Sequence, residues 1–135
     1  MAKCSDLLGV YFKQVRSILE YAVPVWHPSL TGEDRLKLER VQKAALSMIL
    51  GDAYQSYTRA LKTCNMDSLF TRRQNLCRKF AKKSVKHDKF AKWFKPNPKV
   101  TITRQKPSRF CELYARTVRY QKSPIGFLTN LLNNL

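Results

Sequence analysis

Residues 67–86 read DSLFTRRQNLCRKFAKKSVK. At about 100° per residue, Leu69, Leu76, Cys77, Phe80, Ala81 and Ser84 fall on one side of a helix. Arg72, Arg78, Lys79, Lys82, Lys83 and Lys86 fall on the other. The pattern predicts an amphipathic α-helix, opened by Asp67-Ser68, whose outer side is purely cationic. Arg73 is the exception, because its angle lies within the apolar stripe. Burying a lone charge is expensive, so Arg73 is read as snorkelling to solvent. The competing reading is a partly buried arginine paired with an acid from a neighbouring helix.

The pattern continues downstream. Asp88 is placed to cap one more turn carrying Phe90, Trp93 and Phe94, and Lys95-Pro-Asn-Pro98 is a break. Between Thr71 and Arg109 there are 14 Lys or Arg against one acid, so this stretch holds +13 of the net +17. So lopsided a charge costs self-repulsion unless a polyanion neutralises it. Nucleic acid is the commonest such polyanion, with an anionic membrane surface or a plain solubility effect as alternatives. Cations on one helix face track phosphates through counterion release and carry little sequence information. The candidate nucleic-acid-binding residues are therefore Arg72, Arg78, Lys79, Lys82, Lys83, Lys86, Lys89 and Lys92, with Trp93 for base stacking. The bland alternative for Phe90, Trp93 and Phe94 is that all three anchor the core. The Arg78-Lys79 and Lys82-Lys83 pairs also match a nuclear import pattern, which any basic helix produces.

Upstream, Ser5-Asp6 can cap a first helix with Leu8, Tyr11, Phe12, Val15, Ile18, Leu19 and Ala22 on one face and Lys13, Arg16 and Glu20 on the other. Pro24 stops or kinks it, and Val25-Trp26-His27 are expected to run extended into Pro28. Thr31-Gly-Glu-Asp34 starts a second helix with apolar face Leu38, Val41, Ala45, Met48 and Ile49, ended by Gly51. A third helix is predicted over Tyr54 to Cys64, with Asn65 as a left-handed cap. Downstream of the break, Val100-Thr-Ile-Thr103 looks extended, and 104–122 is compatible with helix or loop. Ser123-Pro124 opens a final helix bearing Ile125, Phe127, Leu128, Leu131 and Leu132.

The expectation is a single all-α domain over residues 1–135, a small bundle of about five to seven helices. Residues 6–94 form the bundle, 95–122 a loop or extended proline-containing connection, and 123–135 the terminal helix. A hydrophobic content of 44% argues against disorder throughout. No apolar run approaches the roughly 20 residues of a membrane span, and Asp6 and Lys13 interrupt any signal-peptide core. An intracellular chain, nuclear or cytoplasmic, without a membrane partner is expected. Cys4, Cys64, Cys77 and Cys111 lack C-x-x-C spacing and read as free thiols. With His27 and His87 they form no metal-ligand pattern. Nor is there a glycine-rich phosphate loop, an H-E-x-x-H or a paired-carboxylate spacing, so neither catalysis nor a cofactor is expected.

The first helix also carries a likeness. Val15-Arg-Ser-Ile-Leu-Glu-Tyr-Ala-Val-Pro-Val-Trp-His-Pro28, then Leu38-Glu-Arg-Val-Gln-Lys-Ala-Ala-Leu46 with Met48-Ile49-Leu50, resembles the region downstream of the polymerase palm in reverse transcriptases of non-long-terminal-repeat retrotransposons, in the jockey and chicken-repeat groups. Ser56-Tyr57, Ala60-Leu61, Ser68-Leu69, Arg72-Arg73, Leu76-Cys77 and Lys79-Phe-Ala-Lys-Lys83 continue it in order. Thr117-Val-Arg-Tyr120, Ser123-Pro-Ile125 and Leu128-Thr-Asn-Leu-Leu-Asn133 resemble its tail. The resemblance implies a thumb-like helical region that holds template and primer backbone. The family's aromatic-x-Asp-Asp motif lies upstream of this region, and no two aspartates are adjacent here. The resemblance thus implies a truncated or separately encoded piece of an RNA-directed DNA polymerase, binding RNA or DNA without catalysis. Two alternatives stand beside it: a helical protein-interaction module using the exposed face of the first helix, which would lack its palm, and a transposon relic without a selected role.

Overall fold

The computed structural model describes residues 3–98 and 108–135. Most of the described residues are helical and none forms a strand, and a single antiparallel bridge joins Pro96 to Phe110. The all-α expectation holds. The extended segment expected at Val100–Thr103 lies outside the described residues. Two compact units divide the chain: Met1–Val23 with Leu30–Gln74, and Pro24–Ser29 with Asn75–Leu135. The boundary between them at Gln74–Asn75 falls inside the basic helix.

In the first unit, α1 (Cys4–Val10) runs through a π-helical stretch, Tyr11–Arg16, into α2 (Ser17–Glu20). A π stretch adds a residue to the turn and rotates everything after it. Before it the expected face holds, with Leu8 half-buried and Tyr11 buried. After it the face slips by one position. Ile18, expected inside, is 75% exposed, whereas Arg16 and Glu20, expected outside, are mostly covered. Helix α2 ends at Tyr21, in extended backbone, and Ala22 takes a positive φ of 49°. Pro24 then sits in the first turn of α3 (Val23–Trp26), followed by a 3₁₀ turn at His27–Ser29. The extended run expected at Val25–His27 is therefore corrected to helix. The first turn of a helix has no use for the N–H that proline lacks, so Pro24 opens a helix here.

Helix α4 (Gly32–Leu50) starts with a capping box. The Asp34 amide donates to Thr31 Oγ at 3.2 Å, and the Thr31 amide donates to Asp34 Oδ2 at 3.3 Å. The Thr31 hydroxyl also donates to Asp34, and these bonds hold the carboxyl below its usual range. The buried line of α4 is Gln42 and Leu46, while Val41 is exposed and Met48 is 80% exposed. The predicted face misses by about one position because its centre is polar. Gly51, at φ 51°, ends the helix. Helix α5 (Tyr57–Thr63) is shorter than expected. Ser56 caps it, and Asn65 at φ 50° ends it as predicted.

Fully buried Gln42 organises this unit. Its Oε1 accepts from the Tyr11 hydroxyl at 2.8 Å, and its Nε2 donates to Tyr57 Oη at 3.1 Å and to the Asp67 carbonyl at 3.0 Å. Tyr57 in turn donates to Glu39, which also accepts from the Leu69 amide at 3.2 Å. Both polar atoms of the Gln42 amide gain partners, which is the condition for burying such a group. Burial pushes the Tyr11 hydroxyl up to about 12, and it raises Tyr57 as well, with Glu39 adding to the effect.

Helix α6 (Leu69–Lys86) begins where predicted, with Ser68 Oγ accepting from the Thr71 amide at 3.2 Å. Arg73 is 1% exposed, so the snorkelling reading is wrong. Its angle lies near the middle of the buried arc, from which the stem cannot reach water, and the side chain is engaged inside the protein.

The second unit packs Ala81, Phe94, Phe110 and Leu128 as its core, with Phe80, Val85, Phe127, Leu131 and Leu132 around them. Helix α7 (Asp88–Ala91) is capped by His87, whose Nδ1 accepts from the Lys89 amide, and not by Asp88. The stretch 108–117 is not helical, and α8 (Val118–Gln121) is one turn. Helix α9 (Pro124–Asn133) has the expected Ser123 cap and Pro124 in its first turn. Asn133 brackets the Phe110 backbone, its Oδ1 accepting from the Phe110 amide at 2.9 Å and its Nδ2 donating to the Phe110 carbonyl at 3.1 Å. His27 is buried edge-on against Phe127, with ring centroids 5.7 Å apart.

Candidate nucleic-acid interface

Helix α6 is eighteen residues long, so its buried and exposed arcs repeat over several turns. Leu69, Arg73, Cys77, Ala81 and Ser84 are buried along one side. Arg78, Lys79, Lys82, Lys83 and Lys86 are all exposed. At 100° per residue these five occupy an arc of roughly 140°, centred opposite the buried line. Among the described residues none of the five enters an ion pair, the recorded pairs being Arg16–Glu20, Lys37–Glu33 and Arg72–Glu20. Lys83 and Lys86 lie in the last turn, where the helix dipole favours cations.

Arg72 is different. It belongs to the first unit, and its Nε and second guanidinium nitrogen donate to the two Glu20 oxygens at 2.7 and 3.3 Å. The same carboxylate pairs with Arg16 at 2.9 Å. Arg72 is thus spent on holding the fold and drops from the exposed set. The sequence placed Arg72 and Glu20 on outer faces, and only the slip produced by the π stretch turns Glu20 inward.

Lys89 and Lys92 are exposed on and after α7. Trp93, 40% exposed, follows them, while Phe94 is buried in the core. The three aromatics therefore divide the two readings between them. Phe94 anchors, Trp93 is partly exposed, and Phe90 lies tilted between the His87 and Trp93 rings, with centroids 5.0 and 4.8 Å away. Sequence reasoning missed Arg119, within α8, and Lys122, which follows it, both exposed in this second unit. The only signal for them was Thr117, whose hydroxyl caps α8 by accepting from the Tyr120 amide.

No group of three or more His, Cys, Asp or Glu able to hold a metal occurs among the described residues. No helix among them is long and apolar enough to cross a membrane. In the first unit Leu7, Val10 and Ile18 are exposed along the helical run 4–20, and Tyr21 is exposed just after it. No family model, curated protein or solved structure matches the chain.

Proposed function

We propose that this chain binds the backbone of nucleic acid through the exposed cations of α6 and α7, without catalysing a reaction. The observation that carries the reading is the unneutralised arc of Arg78, Lys79, Lys82, Lys83 and Lys86 on one helix face. Cations so arranged meet a row of phosphates at low cost, because the helix already fixes their spacing. The resemblance to the thumb-like region of retrotransposon reverse transcriptases supports template or primer backbone as the ligand. The test is binding of random-sequence oligonucleotides by a variant carrying Lys79→Glu, Lys82→Glu and Lys83→Glu. Weakening of all sequences alike is expected. Loss confined to one sequence, or no loss, refutes backbone binding by this face.

One observation favours a second reading. Val10, Ile18 and Tyr21 expose apolar side chains along and just after a single helical run, the kind of surface that protein partners cover. Self-association in sizing chromatography, abolished by Ile18→Glu with Tyr21→Glu, would favour a protein-interaction module. A monomer that binds nucleic acid favours the first reading.

A further inference from the structure

The second unit holds a cavity of about 350 Å³ whose walls are nearly all carbon. Phe80, Trp93 and Tyr120 supply three aromatic walls, and Pro24, Pro124 and Leu128 close it. This volume lies at the lower end of the range for small-molecule sites, about 300–1,000 Å³. Trp93 is 40% exposed and Tyr120 about half exposed, so both rings are accessible from solvent. A second cavity of about 470 Å³ shares Val25, Tyr120, Ser123 and Pro124 with the first. Its remaining lining includes Thr117, Arg119 and Lys122. An aromatic slot therefore shares a wall with a second cavity that carries two cations, Arg119 and Lys122. Lys92, exposed, immediately precedes Trp93 in the chain.

The two cavities together suit an occupant with a planar apolar face to stack on an aromatic ring and an anionic group close to that face. A nucleotide of a single strand has both, whereas in a duplex the base faces are already stacked. We infer that this cavity captures one unpaired base of a single strand, stacking it between Trp93 and Tyr120, while Arg119 and Lys122 hold the adjoining phosphate. The inference rests on the proposed backbone binding and adds a preference that the basic arc alone cannot give. Stacking accepts any base, so the preference is for single strand over duplex and not for a sequence.

The test separates the two proposals. Wild type, Trp93→Ala and Tyr120→Ala are titrated with a single strand, the same strand abasic throughout, and a duplex of equal length. Loss of one stacked base costs about 5- to 150-fold in affinity. Trp93→Ala is expected to lose that factor for the normal single strand and nothing for the abasic strand or the duplex. Tyr120→Ala should behave alike, with a smaller loss. Equal losses on all three ligands, or none on any, overturn base capture while leaving backbone binding intact. Wild type that binds none of the three overturns both. If the variants fail to fold, irradiation of the wild-type complex with a bromouracil-substituted single strand decides. Crosslinks at Trp93 or Tyr120 support the pocket, and crosslinks only to residues outside the cavity refute it.

Discussion

The salt dependence of binding can be worked out from α6. Arg78 to Lys86 is eight helical steps of 1.5 Å, an axial span of about 12 Å. One strand presents a phosphate about every 3.4 Å along the axis, so the arc meets roughly four. Lys89 and Lys92, exposed just beyond, raise the total to about five. Each neutralised phosphate contributes about −0.9 for duplex and −0.7 for single strand to the slope of log K against log salt. The expected slope is thus about −4, which between 50 and 200 mM salt is roughly a 250-fold loss of affinity. Replacing Lys79, Lys82 and Lys83 with Gln removes three contacts and should flatten the slope to about −1.5. Fluorescence anisotropy of a labelled oligonucleotide at four or five salt concentrations reads both slopes. A wild-type slope shallower than about −1 would refute the argument. So would a triple variant with an unchanged slope, because the cations that bind would then lie elsewhere.

Gln42→Leu leaves the Tyr11 and Tyr57 hydroxyls and the Asp67 carbonyl each short of a partner, and should cost on the order of 3 kcal/mol in urea unfolding. A cost under 1 kcal/mol would mean the network is not held together in solution. Asn133→Ala removes both bonds to the Phe110 backbone and should cost about 1–3 kcal/mol in thermal unfolding, with no change in binding slope. Alkaline pH should unfold the chain through its buried phenols. Tyr11 titrates near 12 when folded and near 10 when unfolded, so its contribution is complete below pH 10 and lost as pH rises to 12. Stability by denaturant titration should fall across that window, and Tyr11→Phe should flatten the fall.

The helices themselves were legible because their signals are local. Thr31 with Asp34, Gly51, Asn65, Ser68 and Ser123-Pro124 are caps that act within one turn, and each holds in the structure. What faced inward was less legible. A π stretch leaves no apolar signature, so the slip that buries Glu20 and exposes Ile18 was invisible. Gln42 was passed over because a polar side chain adds nothing to an apolar count, although its partners come from residues 11, 57 and 67. Arg73 was misread for a related reason, since the general expense of burying a charge was allowed to outweigh its angle. In the candidate site, the cations of α6 were legible because exposure of a charged face is the default. The partner that removes Arg72 from them is 52 residues away in sequence and was not legible.

The distribution of acids shows what the basic arc costs the protein. Seven of the nine acids lie in the first unit, and Glu20, Glu39 and Asp34 are turned to internal work there. The second unit has 15 Lys or Arg against Asp88 and Glu112, so it cannot neutralise itself. Along α6 the like-charged neighbours Arg78–Lys82, Lys79–Lys83 and Lys82–Lys86 are four residues apart, while Lys79–Lys82 and Lys83–Lys86 are three apart. Each such pair destabilises a helix by about 0.2–0.5 kcal/mol. The Gln replacement at 79, 82 and 83 breaks all five, and Gln has nearly the helix propensity of Lys. The variant that binds more weakly should therefore be more stable, by about 1–2.5 kcal/mol at low salt, and the difference should shrink as salt screens the wild-type repulsion. Thermal unfolding of both chains at 20 and 500 mM salt measures it. If the variant is no more stable at low salt, the arc is not under repulsion, and its charge calls for no polyanion. If it is more stable and binds worse, the surface trades stability for binding, as expected of a cationic face made to meet phosphate.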